Sequence, residues 1–240
     1  MAGKIDAKSL TAGHRERLRK RFMAGGAGAL QDYELLELLL FNAIPRRDVK
    51  PLAKVLLQTF ETFADVVNAP EDQLHEVSAH VEGKAPLKVT DRVLAEFALC
   101  RAAALKLTAA NVRSRQVMSN WSDLVAYCRS ATAYEQVEQF RILFLDNKNA
   151  LIADEKQQTG TINHTPVYVR EVIKRALTLN AGAMILVHNH PSGDPTPSRA
   201  DIAMTAKIVE AAKAVDLTVY DHLIIGRGKE TSFRELGFIE

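Results

Sequence analysis

The chain has 240 residues, enough for one large domain or two small ones that each bury a core. Hydrophobic residues make up 47% and charged residues 25%, the balance of a globular protein, which excludes a disordered chain. Lysine and arginine number 31 against 29 acidic residues, a formal net charge of +2, so bulk basicity cannot be the basis of function. No apolar run approaches bilayer length, and residues 1–22 are charged and lack the apolar core of a signal peptide. The two cysteines, Cys100 and Cys128, have no CxxC spacing. A disulfide scaffold is not expected, and a reducing cytoplasm fits best.

The first half reads as helical. Residues 4–21 hold seven Lys/Arg and two Asp/Glu, a basic stretch at the start of the chain. Asp32 precedes a strongly apolar run through Leu35, Leu36, Leu38, Leu39 and Leu40 and is the expected cap of a helix with a broad buried face. Pro45 and Pro51 punctuate, and residues 48–60 regain a helical period at Leu52, Val55, Leu56 and Phe60. Pro70, Gly83 and Pro86 break the chain again before residues 89–107, rich in Ala and Leu and expected as a long helix. Residues 108–119 have no apolar period and read as a linker or the lead-in to a second domain. The expected division is a helical domain over 1–109, a linker over 110–118 and a second domain over 119–240. Ser122 is the expected cap of a short helix over 122–129.

The second half reads as mixed α and β. Residues 140–145 are a strand, 146–149 a turn and 150–153 the returning strand of a hairpin. A helical period over 171–180 is expected to end at Gly182. Residues 183–187 form a buried strand, 199–215 a helix and 217–225 a strand closed by Gly226-Arg227-Gly228.

The chemistry concentrates in His188-Asn189-His190-Pro191-Ser192-Gly193-Asp194-Pro195-Thr196-Pro197-Ser198-Arg199-Ala200-Asp201. Histidines at i and i+2 project to the same side of an extended chain. They stand at the end of an apolar strand, where α/β folds open a crevice. Three prolines and a glycine make the following turn stiff enough to return Asp201 to the two imidazoles. Two histidines and an aspartate suit zinc, with a fourth position open to water. Ser198 and Asp201 also fit a capping-box helix start that needs no metal. On residue types alone the metal and structural readings stand level.

The full spacing, HxH, seven residues, Ser, two residues, Asp, resembles the JAMM/MPN metalloprotease motif at all four positions. His188 to Gly193 with Pro197-Ser198 resembles the RadC family in particular. The likeness continues through Gly160-Thr161, Arg170-Glu171 and residues 221–226, and upstream through residues 13–19, 32–40 and 43–50. The resemblance implies a cytidine-deaminase-like α/β fold for the second half, a mixed sheet with flanking helices, preceded by an all-α domain. It implies zinc held by His188, His190 and Asp201. In the family a glutamate ahead of a strand acts as base toward the water at the metal, and Glu138, two residues before Phe140, holds that place. Glu135 and Glu171 are the rival carboxylates. Ser198 would stabilise the tetrahedral intermediate.

Two departures stand out. The family's Val-His-Pro-Arg-Glu is Val167-Tyr168-Val169-Arg170-Glu171 here. The family's helix-hairpin-helix, whose Gly-x-Gly turn can hold a DNA phosphate, is degenerate over 74–85, where Gly83 remains and Glu82 opposes a phosphate. His222, beside Asp221, reads as a buried strand histidine bonded to its neighbours ahead of one that orients a metal ligand. His164 reads as a surface residue and Trp121 as core.

The leading expectation is a zinc-dependent hydrolase that cleaves an amide or isopeptide bond in a peptide or isopeptide substrate. The ligand set alone also admits deamination, but the Pro-Cys-x-x-Cys pair of the zinc deaminases is absent. The alternatives are a DNA-associated repair or recombination accessory protein, resting on the basic stretch, and a zinc-binding interaction module without catalysis. DNA contact is expected to be weak.

Overall fold

The computed structural model describes residues 13–113, 117, 120–159 and 167–240. Gly160-Thr161, His164, residues 4–12 of the basic stretch, and 114–116 and 118–119 of the expected linker lie outside the described residues. The chain is a mixed α/β protein in two compact units, the first ending at Ala103 and the second beginning at Ala104.

The first unit is helical: α1 (His14–Gly25), α2 (Asp32–Ala43), α3 (Lys50–Phe60), α4 (Phe63–Asn68) and α5 (Glu71–Glu76). Leu36, Leu40, Leu52, Leu56, Val66, Leu74, Val93 and Phe97 are fully buried and form its core. Asp32 is not the cap of α2. Gln31 is, and Glu34 reaches back to accept the Gln31 amide at 3.1 Å, one half of a capping box. Asp32 instead accepts the Phe63 amide at 3.2 Å and ties α2 to the start of α4. After α5 a short antiparallel ladder, β1 (Ser78–Ala79) with β2 (Leu87–Lys88), occupies the stretch of the degenerate helix-hairpin-helix. The long helix α6 (Asp91–Arg113) runs six residues past Leu107, into the stretch read as linker. Polar residues at 108 and 111 hid that extension, although neither breaks a helix.

The second unit carries α7 (Trp121–Thr132), the hairpin β3 (Gln139–Leu145) and β4 (Leu151–Thr159), α8 (Val169–Thr178), β5 (Ala183–Asn189), α9 (Arg199–Lys213), β6 (Thr218–Ile225) and β7 (Glu230–Ser232). The sheet order is β4-β3-β5-β6-β7; the β5–β6 pair is parallel and the others are antiparallel. Side chains alternate between the faces. Phe140, Ile142, Phe144, Met184, Leu186 and Ile224 turn to one core, shared with Val172 and Ala176 of α8 and Ile208 and Ala212 of α9. Leu143, Leu145, Ile185, Val187, Leu223 and Ile225 turn to the other, shared with Leu124 and Cys128 of α7. A central strand covered on both faces is apolar on both, which is why β5 reads as an unbroken run from Ala183 to Val187.

Two local expectations need correcting. The cap position of α7 is Asn120, two residues earlier than Ser122. Gly182 does not end α8; Asn180 takes the left-handed conformation there, with φ 52°. Gly182 matters for space, since a Cβ on it would lie 2.0 Å from Asn147 Oδ1. Strand β7, short and polar, gave no periodic signal. It continues the sheet beyond β6, with Ile224 opposite Thr231. No helix among the described residues is long and apolar enough to cross a membrane.

Candidate metal centre

Strand β5 does not stop at Val187. It continues through His188 and Asn189, both buried, so the first histidine is built into the sheet. His190 follows at the strand's open end, its amide bonded to the Ile225 carbonyl at 3.0 Å. The chain then makes a tight turn, with the Gly193 amide on the His190 carbonyl at 2.9 Å and Gly193 at φ 85°. This turn packs so closely on the end of β6 that a Cβ on Gly226 would lie 2.3 Å from the Gly193 carbonyl oxygen. The prolines carry the chain to Ser198, which caps α9. Its hydroxyl oxygen accepts the Asp201 amide at 3.1 Å, and Asp201 Oδ2 accepts the Ser198 amide at 2.8 Å. The capping box and the return of the carboxylate to the histidines are one arrangement.

His188 Nε2 lies 3.0 Å from His190 Nε2 and 3.5 Å from Asp201 Oδ1, and His190 Nε2 lies 3.7 Å from Asp201 Oδ2. His188, His190 and Asp201 each offer one donor atom, all within 4.8 Å of one another. Zinc–nitrogen bonds of about 2.0–2.1 Å in a tetrahedron set donors about 3.3 Å apart, so the spacing and the N/N/O donor set fit zinc. His190 Nδ1 lies 2.7 Å from the Asp194 carbonyl, which can only accept. The ring proton is therefore on Nδ1, and Nε2 is the nitrogen left for the site.

Charges in the site follow burial and contact. His188 is pushed down to about 4 by burial, against the pull of Asp201, and is neutral at neutral pH. His190 is raised, first by its contact with the Asp201 carboxylate and also by the Asp194 carbonyl and the charge of Glu138. Burial opposes ionisation of Asp201, but His190, His188 and Ser198 together outweigh it, and the carboxyl lies well below the usual range. Two ring nitrogens facing a carboxylate need a cation between them. The contact with Asp201 favours the protonated form of His190.

The structure places the other expected residues as follows. Glu138 is half-buried immediately before β3. Phe140 pairs with His188 at the end of the β3–β5 ladder, and the negative charge of Glu138 acts on His190. Glu135 is exposed and hydrogen-bonded to Gln139 Nε2. Glu171 sits on α8 beside Arg170 and Lys174. Neither is brought to the histidines by any described contact.

Two residues were undervalued by the sequence. Asn189 is completely buried on the face opposite the histidines. Its Oδ1 accepts the Gln139 amide at 2.9 Å, and its Nδ2 donates to the carbonyls of Val137 at 3.2 Å and Glu135 at 3.3 Å. It thereby clamps the segment that carries Glu138. An asparagine between two histidines gives no hint of this. His222 is both a buried strand histidine and a direct partner of a site histidine, its Nε2 2.7 Å from His188 Nδ1. Asp221 faces away, bonded to Ser232 and to the Arg234 amide.

A mixed sheet with this constellation at the end of its central parallel strand defines a JAB-type domain, and residues 118–238 match the family described as RadC-like JAB domain. A UPF0758 protein of Ruegeria pomeroyi is 54% identical over 226 residues, which cover 94% of this chain and 97% of the relative. A UPF0758 protein of Rhodobacter capsulatus is 54% identical over 222 residues, 92% of this chain and all of the relative. The chain belongs to the RadC family.

Proposed function

We propose that the protein is a zinc-dependent hydrolase of the JAMM type that cleaves an amide or isopeptide bond in a peptide or isopeptide substrate. The observation that carries this reading is the convergence of His188 Nε2, His190 Nε2 and an Asp201 oxygen to within 4.8 Å, at the open end of a buried strand. His188, His190 and Asp201 would hold the zinc. When bound, zinc supplies Lewis acidity, making a water acidic near neutral pH and polarising a carbonyl. Glu138 accepts the proton of the attacking water and returns it to the leaving amine, the work of a carboxylate within hydrogen-bond reach of both. Ser198, exposed at the mouth of the site, offers its hydroxyl to the oxygen that becomes negative as the carbonyl turns tetrahedral. Asn189 holds the segment bearing Glu138 against the end of β5. A cytoplasmic location accompanies this reading, since Cys100 and Cys128 are both free thiols, as a reducing compartment keeps them.

Elemental analysis of protein purified without chelator tests the metal. About one zinc per chain is expected, with a sharp loss in His188→Ala and in Asp201→Asn, because each removes one of three protein ligands. Full zinc occupancy in both variants would overturn the assignment.

A further inference from the structure

Behind the metal-ligand candidates lies a chain of hydrogen bonds through three buried side chains. Thr205 is on α9, one turn after Asp201, and is 1% exposed; His222 on β6 is 0% and His188 on β5 1% exposed. Thr205 Oγ1 lies 2.6 Å from the Asp201 carbonyl oxygen and 2.6 Å from His222 Nδ1. His222 Nε2 lies 2.7 Å from His188 Nδ1. The rest of the His222 ring is enclosed by Phe140 and Phe233, with centroids 5.7 and 4.5 Å away.

The direction of every proton in this chain follows from one fact. A backbone carbonyl has no proton, so the Thr205 hydroxyl must donate to Asp201. A hydroxyl has one proton, so toward His222 it can only accept, and His222 Nδ1 must be the N–H. A neutral imidazole carries one ring proton, so His222 Nε2 is bare and can only accept. His188 Nδ1 must then donate, which leaves His188 Nε2 bare and facing His190 and Asp201. The His222 ring is fully buried among aromatic side chains. The opposite direction would put the proton on His188 Nε2, where it would block a metal.

We propose that Thr205 is a positioning residue that sets the ring tautomer of His188 through His222, so that His188 presents a bare Nε2 to the metal. The proposal rests on the zinc reading for its purpose but not for its proton assignment. The helical turn that supplies the Asp201 carboxylate supplies through Thr205 the hydroxyl that fixes the proton on a second ligand. His190 is fixed separately by the Asp194 carbonyl, so the two histidines are held by independent devices.

The experiment uses the full chain and the pair Thr205→Val, which keeps the shape without the hydroxyl, and Thr205→Ser, which keeps the hydroxyl. Long-range 1H–15N spectra of the imidazoles in metal-free protein at neutral pH read the tautomers directly. Nδ1–H is expected for both His222 and His188 in the unmodified protein and in Thr205→Ser. In Thr205→Val, His188 is expected to shift toward Nε2–H. Zinc affinity, by competition with a chromogenic chelator, is expected to fall about 10–100-fold in Thr205→Val, the usual effect of losing a group that orients a metal ligand, and to stay close to the unmodified value in Thr205→Ser. A merely structural role for the threonine would not move the tautomer. His188 protonated on Nε2 in the unmodified metal-free protein would overturn the proposal without any variant having to fold. So would a Thr205→Val protein that binds zinc as tightly as the original. If the unmodified protein shows the expected tautomers but takes up no zinc, the zinc reading fails and the proton assignment stands.

Discussion

Glu138 and His190 are the residues where the proposed chemistry is most exposed to test. Glu138 is not among the three converging donors, so zinc should not need it. Glu138→Gln keeps the shape and removes the basic carboxylate. Zinc content should be unchanged, and turnover of any amide or isopeptide substrate found for the unmodified protein should fall about 10²–10⁴-fold. Full activity in that variant would move the base to another carboxylate. His190 governs the pH dependence of metal binding. Its pKa is raised, chiefly by Asp201, so it holds its proton to a higher pH than an ordinary imidazole. Zinc must displace that proton. Affinity should be full above this pKa and fall as pH drops through it, whereas His188, at about 4, competes only in acid. A zinc titration that is flat from pH 8 to about pH 5.5, a span around the ordinary histidine pKa, would contradict this assignment.

At the scale of elements, the site depends on how closely three segments approach: the end of β5, the turn at Gly193 and the end of β6. Gly226→Ala would push a Cβ to 2.3 Å from the Gly193 carbonyl, a backbone atom that cannot swing aside. Destabilisation of about 1–3 kcal/mol is expected, read as a lowered Tm, together with weaker zinc binding as the turn bearing His190 shifts. Unchanged Tm and zinc affinity would show that the turn is not held by this contact. The elements themselves were largely legible in the sequence. Residues 183–187 of β5 are an unbroken apolar run, and α9 announces itself by Ser198 and Asp201. Less legible was which residue caps what. Gln31 and Glu34 divide the cap of α2 between them, while Asp32 bonds across 31 positions of sequence to Phe63, a partner no local pattern reveals. The sequence also set the capping and metal readings of Asp201 against each other. In the fold one carboxylate accepts the Ser198 amide and faces both histidines at once. The roles of Asn189 and His222 were illegible for a related reason. Both are fixed by strand pairing, Asn189 against the segment before β3 and His222 on the strand beside β5, and register is a property of the assembled sheet.

At the scale of the whole molecule, the question is whether the basic start of the chain is a nucleic-acid surface. Arg15 donates to the carbonyls of Phe41, Ile44 and Arg47 at 3.1, 2.6 and 2.7 Å. Arg21 pairs with both carboxylate oxygens of Glu34 and donates to the Ala29 carbonyl. These guanidiniums hold the first unit together, and phosphates would have to compete for them. Titration with short duplex DNA should therefore find little binding at physiological salt, and what there is should fall further as salt rises. Tight binding that survives high salt would assign the first unit a direct role on DNA. The proposed chemistry depends, however, on a metal at His188, His190 and Asp201 of the second unit. The most direct measurement is anomalous diffraction at the zinc edge from crystals of protein purified without chelator. The account expects a single strong peak per chain, bounded by His188 Nε2, His190 Nε2 and an Asp201 carboxylate oxygen. The absence of a peak there in protein supplied with zinc, or a zinc held by other residues in its place, would contradict it.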